Sequence, residues 1–134
     1  MIPIAIGKIG TVTATVNEAN IASTMKSGAL PVFATPVMIA LMEEAAMECL
    51  SGCLPEGQST VGTAVNIEHT APSTIGAEIT ATATVTAVDR RRVDFDVVAV
   101  DNAGEIGRGV HTRFIIDIER FVEKVNARGA EALQ

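Results

Sequence analysis

The chain has 134 residues, a length that suits one domain with room for a proper core. Hydrophobic residues make up 48% and charged residues 19%, which argues against disorder, and a net charge of −6 argues against a nucleic-acid partner. Four Phe with no Trp or Tyr leave no stacking platform for single strands, so the core must be built from Val, Ile, Ala, Leu and Met in regular, tightly packed elements.

Nothing approaches the roughly 20 apolar residues of a membrane span. The opening stretch, MIPIAIGKIG, lacks the basic region of a signal peptide. Cys49 and Cys53 stand four apart on a predicted helix with no metal-ligand spacing around them. They read as buried, reduced thiols of a cytoplasmic protein, and no metal is expected.

In chain order, residues 8–16 (KIGTVTATV) alternate and are rich in β-branched residues, which predicts a strand. Residues 17–34 have no clean period and carry Ser27-Gly28 and Pro31, so a loop or lid with a short turn of helix is expected. Residues 36–50 (PVMIALMEEAAMECL) predict a helix with Pro36 in its first position and Thr35 as N-cap, stopped by Gly52 and Pro55. That helix is apolar on almost every side, so something must enclose it.

Four further strands supply the wrapping. Residues 59–70 set Val61, Thr63, Val65, Ile67 and His69 on one face; residues 77–88 and 92–101 alternate; residues 105–117 run through Val110, Thr112, Phe114 and Ile116. Asp89-Arg90-Arg91 and Asp101-Asn102-Ala103-Gly104 read as hairpin connections, the first a solvated basic tip. Residues 118–128 return to helical spacing through Ile118, Phe121, Val122 and Val125. The expected class is α+β: an antiparallel sheet around one long central helix. No repeat or linker interrupts the chain, and residues 1–134 are expected to form one domain.

Glu43 is the most informative residue. Its helical neighbours Ile39, Ala40, Ala46 and Met47 are all apolar, so its carboxylate is expected to be desolvated. The alternative is an acid at the helix edge that bends out to water, as Glu44 and Glu48 do. His69 ends the face expected to lie against that helix; it reads either as a core histidine or as the base facing Glu43. Gly62 admits a close ligand or marks a bulge. His111 reads as structural or surface, with no partner evident. No GxSxG elbow, Walker loop, dinucleotide fingerprint or zinc spacing is present.

Three segments carry a resemblance: VFATPVMIALMEEA (32–45), TVGTAVNIEHTA (60–71) and EIGRGVHTRFII (105–116). Together they resemble the fluoroacetyl-CoA thioesterase family of hot-dog proteins, over roughly residues 30–120. The resemblance implies a hot-dog fold, hydrolysis of a small acyl-CoA thioester, no cofactor beyond the CoA of the substrate, and a homodimer with sites near the subunit interface. It further implies Thr35, Glu43 and His69 as catalytic residues, with Gly62 and Arg113 contacting substrate; Arg90 to Arg92 are expected to reach CoA phosphates. Fluoroacetyl-specific members carry a Phe-bearing lid, whereas TMKSGALPV (24–32) contains no Phe, so the broader acyl-CoA activity is the expectation here. Two other classes stay open: an acyl-CoA or acyl-carrier binding module without turnover, and a hot-dog hydratase or dehydratase. Eight residues of helix separate Thr35 from Glu43 by about 12 Å. Thr35 must therefore leave the helix end, or the two must come from different subunits.

Overall fold

The computed structural model describes residues 2–134. Strand β1 (Ile9–Thr15) leads through a short helix α1 (Ala22–Met25) to the long helix α2 (Thr35–Cys49). Four strands follow, β2 (Gln58–His69), β3 (Glu78–Asp89), β4 (Arg92–Asp101) and β5 (Gly104–Asp117), and then helix α3 (Ile118–Ala132). The sheet has the order β1-β3-β4-β5-β2, with every neighbouring pair antiparallel. The predicted elements are all present; α3 runs four residues beyond the predicted end.

The sheet curls around α2 because its inner face is made of small and β-branched side chains. Ile79, Ala81, Ala83 and Val85 of β3 and Val93, Phe95, Val97 and Ala99 of β4 are buried beneath Met38, Leu41, Met42, Ala45, Ala46 and Cys49 of the helix. At Gly10, β1 crosses α2 so closely that a Cβ would collide with the backbone at Ala45 and Cys49. Cys49 and Cys53 are buried free thiols, and burial pushes the Cys49 thiol up.

Enclosure of α2 is incomplete. The helix packs mainly on β1 and β3, and only lightly on β2 and β4. Its remaining side, with Ala40, Glu44 and Met47 around Glu43, is open. The edge strand β2 is also open: Gly62 to Asn66 are exposed, and its outer row of backbone groups pairs with nothing in the sheet.

Two strand faces differ from the predicted ones. The β2–β5 ladder shifts register between Gly62 and Ala64, which leaves Thr63 as an extra residue. Upstream of it Thr60 and Gly62 face the helix; downstream Val65, Ile67 and His69 do, so Val61 does not share their face. Along β5 the apolar Val110 and Phe114 face outward and are exposed, while His111 and Arg113 point inward and are buried. Among the described residues, no helix is long and apolar enough to cross a membrane, and no group of three or more His, Cys, Asp or Glu could hold a metal ion.

Candidate active site

One chain brings the candidate residues together as two clusters, one at the start of α2 and one beside its middle. The first holds Thr35 and His69. The helix is capped by Ala34 in an extended conformation, not by Thr35, which is its first helical residue, with Pro36 next. The Thr35 hydroxyl is therefore free of capping, and its Oγ1 shares a hydrogen bond of 2.8 Å with His69 Nδ1. Phe33 meets the His69 ring edge-on at 6.4 Å. His69 Nε2 is buried and has no hydrogen-bond partner among the described residues. Burial holds this imidazole below its ordinary range, opposed by the Ala71 backbone.

The second cluster is built around Arg113, whose side chain is only 5% exposed. Its Nε donates to Thr60 Oγ1 at 2.8 Å and its Nη2 to the Thr60 carbonyl at 3.0 Å. Its Nη1 donates to Glu43 Oε2 at 3.2 Å. Burial lowers the guanidinium pKa and the Glu43 charge opposes that shift. Glu43 itself is 39% exposed, so the expected enclosure of its carboxylate is not found in one chain; the open side of α2 is the reason. Gly62 lies directly over this pair, and a Cβ there would sit 2.6 Å from Glu43 Oε2 and 3.3 Å from Arg113 Nη1.

His111 is the residue that sequence reasoning missed. It is 2% exposed, stacks on Phe95 at 6.1 Å, and has two polar partners. Nε2 lies 3.2 Å from Arg113 Nη1, and Nδ1 lies 2.8 Å from the Ala64 carbonyl. Guanidinium nitrogens only donate and a carbonyl only accepts, so the ring must be neutral with its proton on Nδ1. Desolvation lowers its pKa, with Arg113 acting in the same sense and the Ala64 contact and Glu43 opposing. The signal that could have found it is the inward run Gly107, Gly109, His111, Arg113: two glycines beside two polar groups mark a face kept clear of bulk.

Both imidazoles thus bind protons less readily in the fold than in the unfolded chain. Between their folded values and the ordinary value near about 6.5 the unfolded chain holds more protons, so stability rises with pH through that window. The expected result is a lower thermal unfolding midpoint at about pH 5 than at about pH 7, with a shallower slope in His111→Gln. An equal slope in that variant would remove His111 from the account.

A pleated sheet wrapped on one helix, with an acid on the helix facing a glycine on the edge strand, defines the class of hot-dog thioesterases. A thioesterase superfamily member from Thermus thermophilus superposes with a TM-score of 0.89 at 27% identity, covering 99% of this chain and 98% of that one. The profile of the fluoroacetyl-CoA-specific thioesterase family, FlK, matches residues 16–119. The fluoroacetyl-CoA thioesterase of Streptantibioticus cattleyicolor is 39% identical over 97 residues, 72% of this chain and 70% of that protein. A solved structure of the fluoroacetyl-CoA thioesterase FlK matches with a TM-score of 0.86 at 32% identity, over 92% of this chain and 96% of that one. The chain belongs to the fluoroacetyl-CoA-specific thioesterase family and is a thioester hydrolase.

Proposed function

We propose that the protein hydrolyses small acyl-CoA thioesters at a site assembled from two copies of the chain. The observation that carries this reading is the separation of the two clusters. Thr35 is helical, so it does not fold off the helix end toward Glu43, and about 12 Å of helix stand between them. Yet His69 Nε2 has no partner and Glu43 faces the open side of α2.

A two-fold pairing of β2 edges reunites them. An axis at Asn66 lies three ladder steps from both Gly62 and His69, because Thr63 takes no step, so it sets Gly62 opposite the partner subunit's His69. The same axis near Ile39 is equidistant from Thr35 and Glu43, and brings Glu43 toward the partner subunit's Thr35. The exposed middle of β2 and the open side of α2 are the surfaces such an isologous dimer would cover.

In that site the Glu43 carboxylate attacks the thioester carbonyl, or takes a proton from a water that does so. Backbone N–H groups at Gly62 receive the developing oxyanion, made possible by the missing Cβ. The C–S bond breaks, the thiolate is protonated with the help of the partner subunit's His69, and water completes release of the acid. Arg113, fixed by Thr60 and His111, keeps the Glu43 carboxylate aimed. No separate cofactor enters the reaction.

Free-thiol release from a panel of acyl-CoAs, acetyl through benzoyl, tests the activity. Saturable binding without release would select the binding-module reading. The assembly is tested by mixing Glu43→Gln chains with His69→Ala chains under subunit exchange. Each alone is expected to be inactive, and the mixture to regain about a quarter of wild-type activity, since half the dimers carry one complete site. A mixture that stays inactive while exchanging subunits would place the site within one chain.

A further inference from the structure

Packing alone does not call for a histidine at position 111. The ring is 2% exposed and stacks on Phe95 at 6.1 Å, so an apolar side chain would fill the same space. An imidazole there buries two polar nitrogens, and each has found a partner. Nδ1 meets the Ala64 carbonyl at 2.8 Å, and Nε2 meets Arg113 Nη1 at 3.2 Å. The second contact reaches the candidate active site, because the same Nη1 donates to Glu43 Oε2 at 3.2 Å.

Arg113 depends on that contact for its aim. Thr60 takes Nε at 2.8 Å through its hydroxyl and Nη2 at 3.0 Å through its carbonyl, which holds only one edge of the planar group. Rotation about that edge swings Nη1, the corner that meets Glu43. Nη1 carries two protons: one goes to the carboxylate, and the lone pair of His111 Nε2 accepts the other. The neutral ring thus pins the free corner. A second proton, on Nε2, reverses the contact, so that two donors and two positive charges face each other 3.2 Å apart. Ala64 and Phe95 keep the ring in place, so the guanidinium corner gives way and Glu43 loses its partner.

We propose that His111 is a positioning residue for Glu43: its neutral ring holds Arg113 against the carboxylate, and a proton on Nε2 releases both. The proposal rests on the reading that Glu43 performs the chemistry. The charged groups facing His111 are Arg113 on its own strand and Glu43 on α2. Strand β2 presents only Gly62 and the Ala64 carbonyl, and β4 presents Phe95, with Asp94 and Asp96 alternating to the outer face. The partner subunit's His69, set opposite Gly62 by the proposed two-fold, is the remaining titrating group on this side. Desolvation, with Arg113 in the same sense, holds the His111 pKa below the ordinary value near about 6.5. The releasing proton therefore arrives below that value, and activity falls with acid as it binds.

The test compares His111→Gln and His111→Leu with wild type. Glutamine keeps an acceptor for Nη1 and a donor for the Ala64 carbonyl but takes up no proton; leucine keeps neither bond. At about pH 7.5, kcat is expected to fall at least about tenfold in His111→Leu, with glutamine restoring most of it. Equal kcat in the two variants overturns the proposal. Between about pH 7.5 and pH 5, kcat of wild type divided by that of His111→Gln is expected to drop at least about threefold, since both retain Glu43 and His69. A constant ratio overturns it. In nitrogen-15 NMR of wild type, the Arg113 guanidinium signals are expected to move at the midpoint of the His111 titration; stationary signals overturn the proposal. The ratio and the NMR titration need no His111→Leu, so they decide even where that variant does not fold. If Glu43→Gln keeps its activity, the reading of Glu43 fails instead, and the NMR titration still decides the contact between His111 and Arg113.

Discussion

Glu43→Gln is expected to lower acyl-CoA hydrolysis by at least about 10²-fold while leaving a folded protein. The amide keeps the shape of the side chain but can neither attack a carbonyl nor accept a proton from water. Its structural cost is limited by exposure. Arg113 loses its counter-charge, yet two bonds to Thr60 and one to His111 remain, and Glu43 is 39% open to solvent. The loss in stability should be about 1–2 kcal/mol, below the roughly 3–5 kcal/mol of a broken, fully buried pair. Thiol release and the chemical-denaturation midpoint, measured on the same preparation, separate the two effects. Activity within a few-fold of wild type would remove Glu43 from the chemistry and leave it as the counter-ion of Arg113.

Gly62→Ala should be nearly as damaging from a single methyl group. The added carbon would stand 2.6 Å from Glu43 Oε2, a separation that real Cβ atoms do not tolerate. Arg113 cannot give way, because Thr60 and His111 fix its guanidinium, and neither can His111, which is clamped by Ala64 and Phe95. Only the long, half-exposed Glu43 side chain is free to move, so it swings off Gly62 and away from the reacting carbon. Displacement of a catalytic group by about 1 Å costs on the order of 10²-fold. The fall should appear in kcat more than in KM, since both the Glu43 carboxylate and the oxyanion position at Gly62 act as charge develops in the reaction. A Gly62→Ala enzyme with wild-type kcat would mean that the carboxylate does its work from another position.

The fold was legible because its signals are local. Alternation in 8–16, 77–88 and 92–101 and the Pro36 start of an apolar helix each require only neighbouring residues, and a helix without a polar side demands a wrapping sheet. Candidate residues could be named one by one from the sequence, but their grouping could not. Glu43 stands out against its apolar neighbours, yet the pairing of Glu43 with His69 expected in one chain is not there: the carboxylate lies with Arg113 and His111, and His69 lies with Thr35. Which ends of α2 and β2 coincide is a tertiary fact. His111 was obscured by its own strand, because exposed Val110 and Phe114 made the outward face look like the buried one. Thr35 was read as a cap because Thr before Pro is a common helix start; a one-residue shift of the cap to Ala34 freed its hydroxyl for His69.

The extra residue at Thr63 has a consequence for the spacing of the motif itself. In an unbroken strand, residues that look the same way are separated by an even number, yet Gly62 and His69 both look inward and stand seven apart. The odd count is tolerable only with one surplus residue between them. Deleting Thr63, or adding a second residue beside it, would leave most of the ladder intact while turning one of the two outward. Loss or gain of a single residue in this short stretch should thus sort functional chains from silent ones more sharply than most changes of side chain within it.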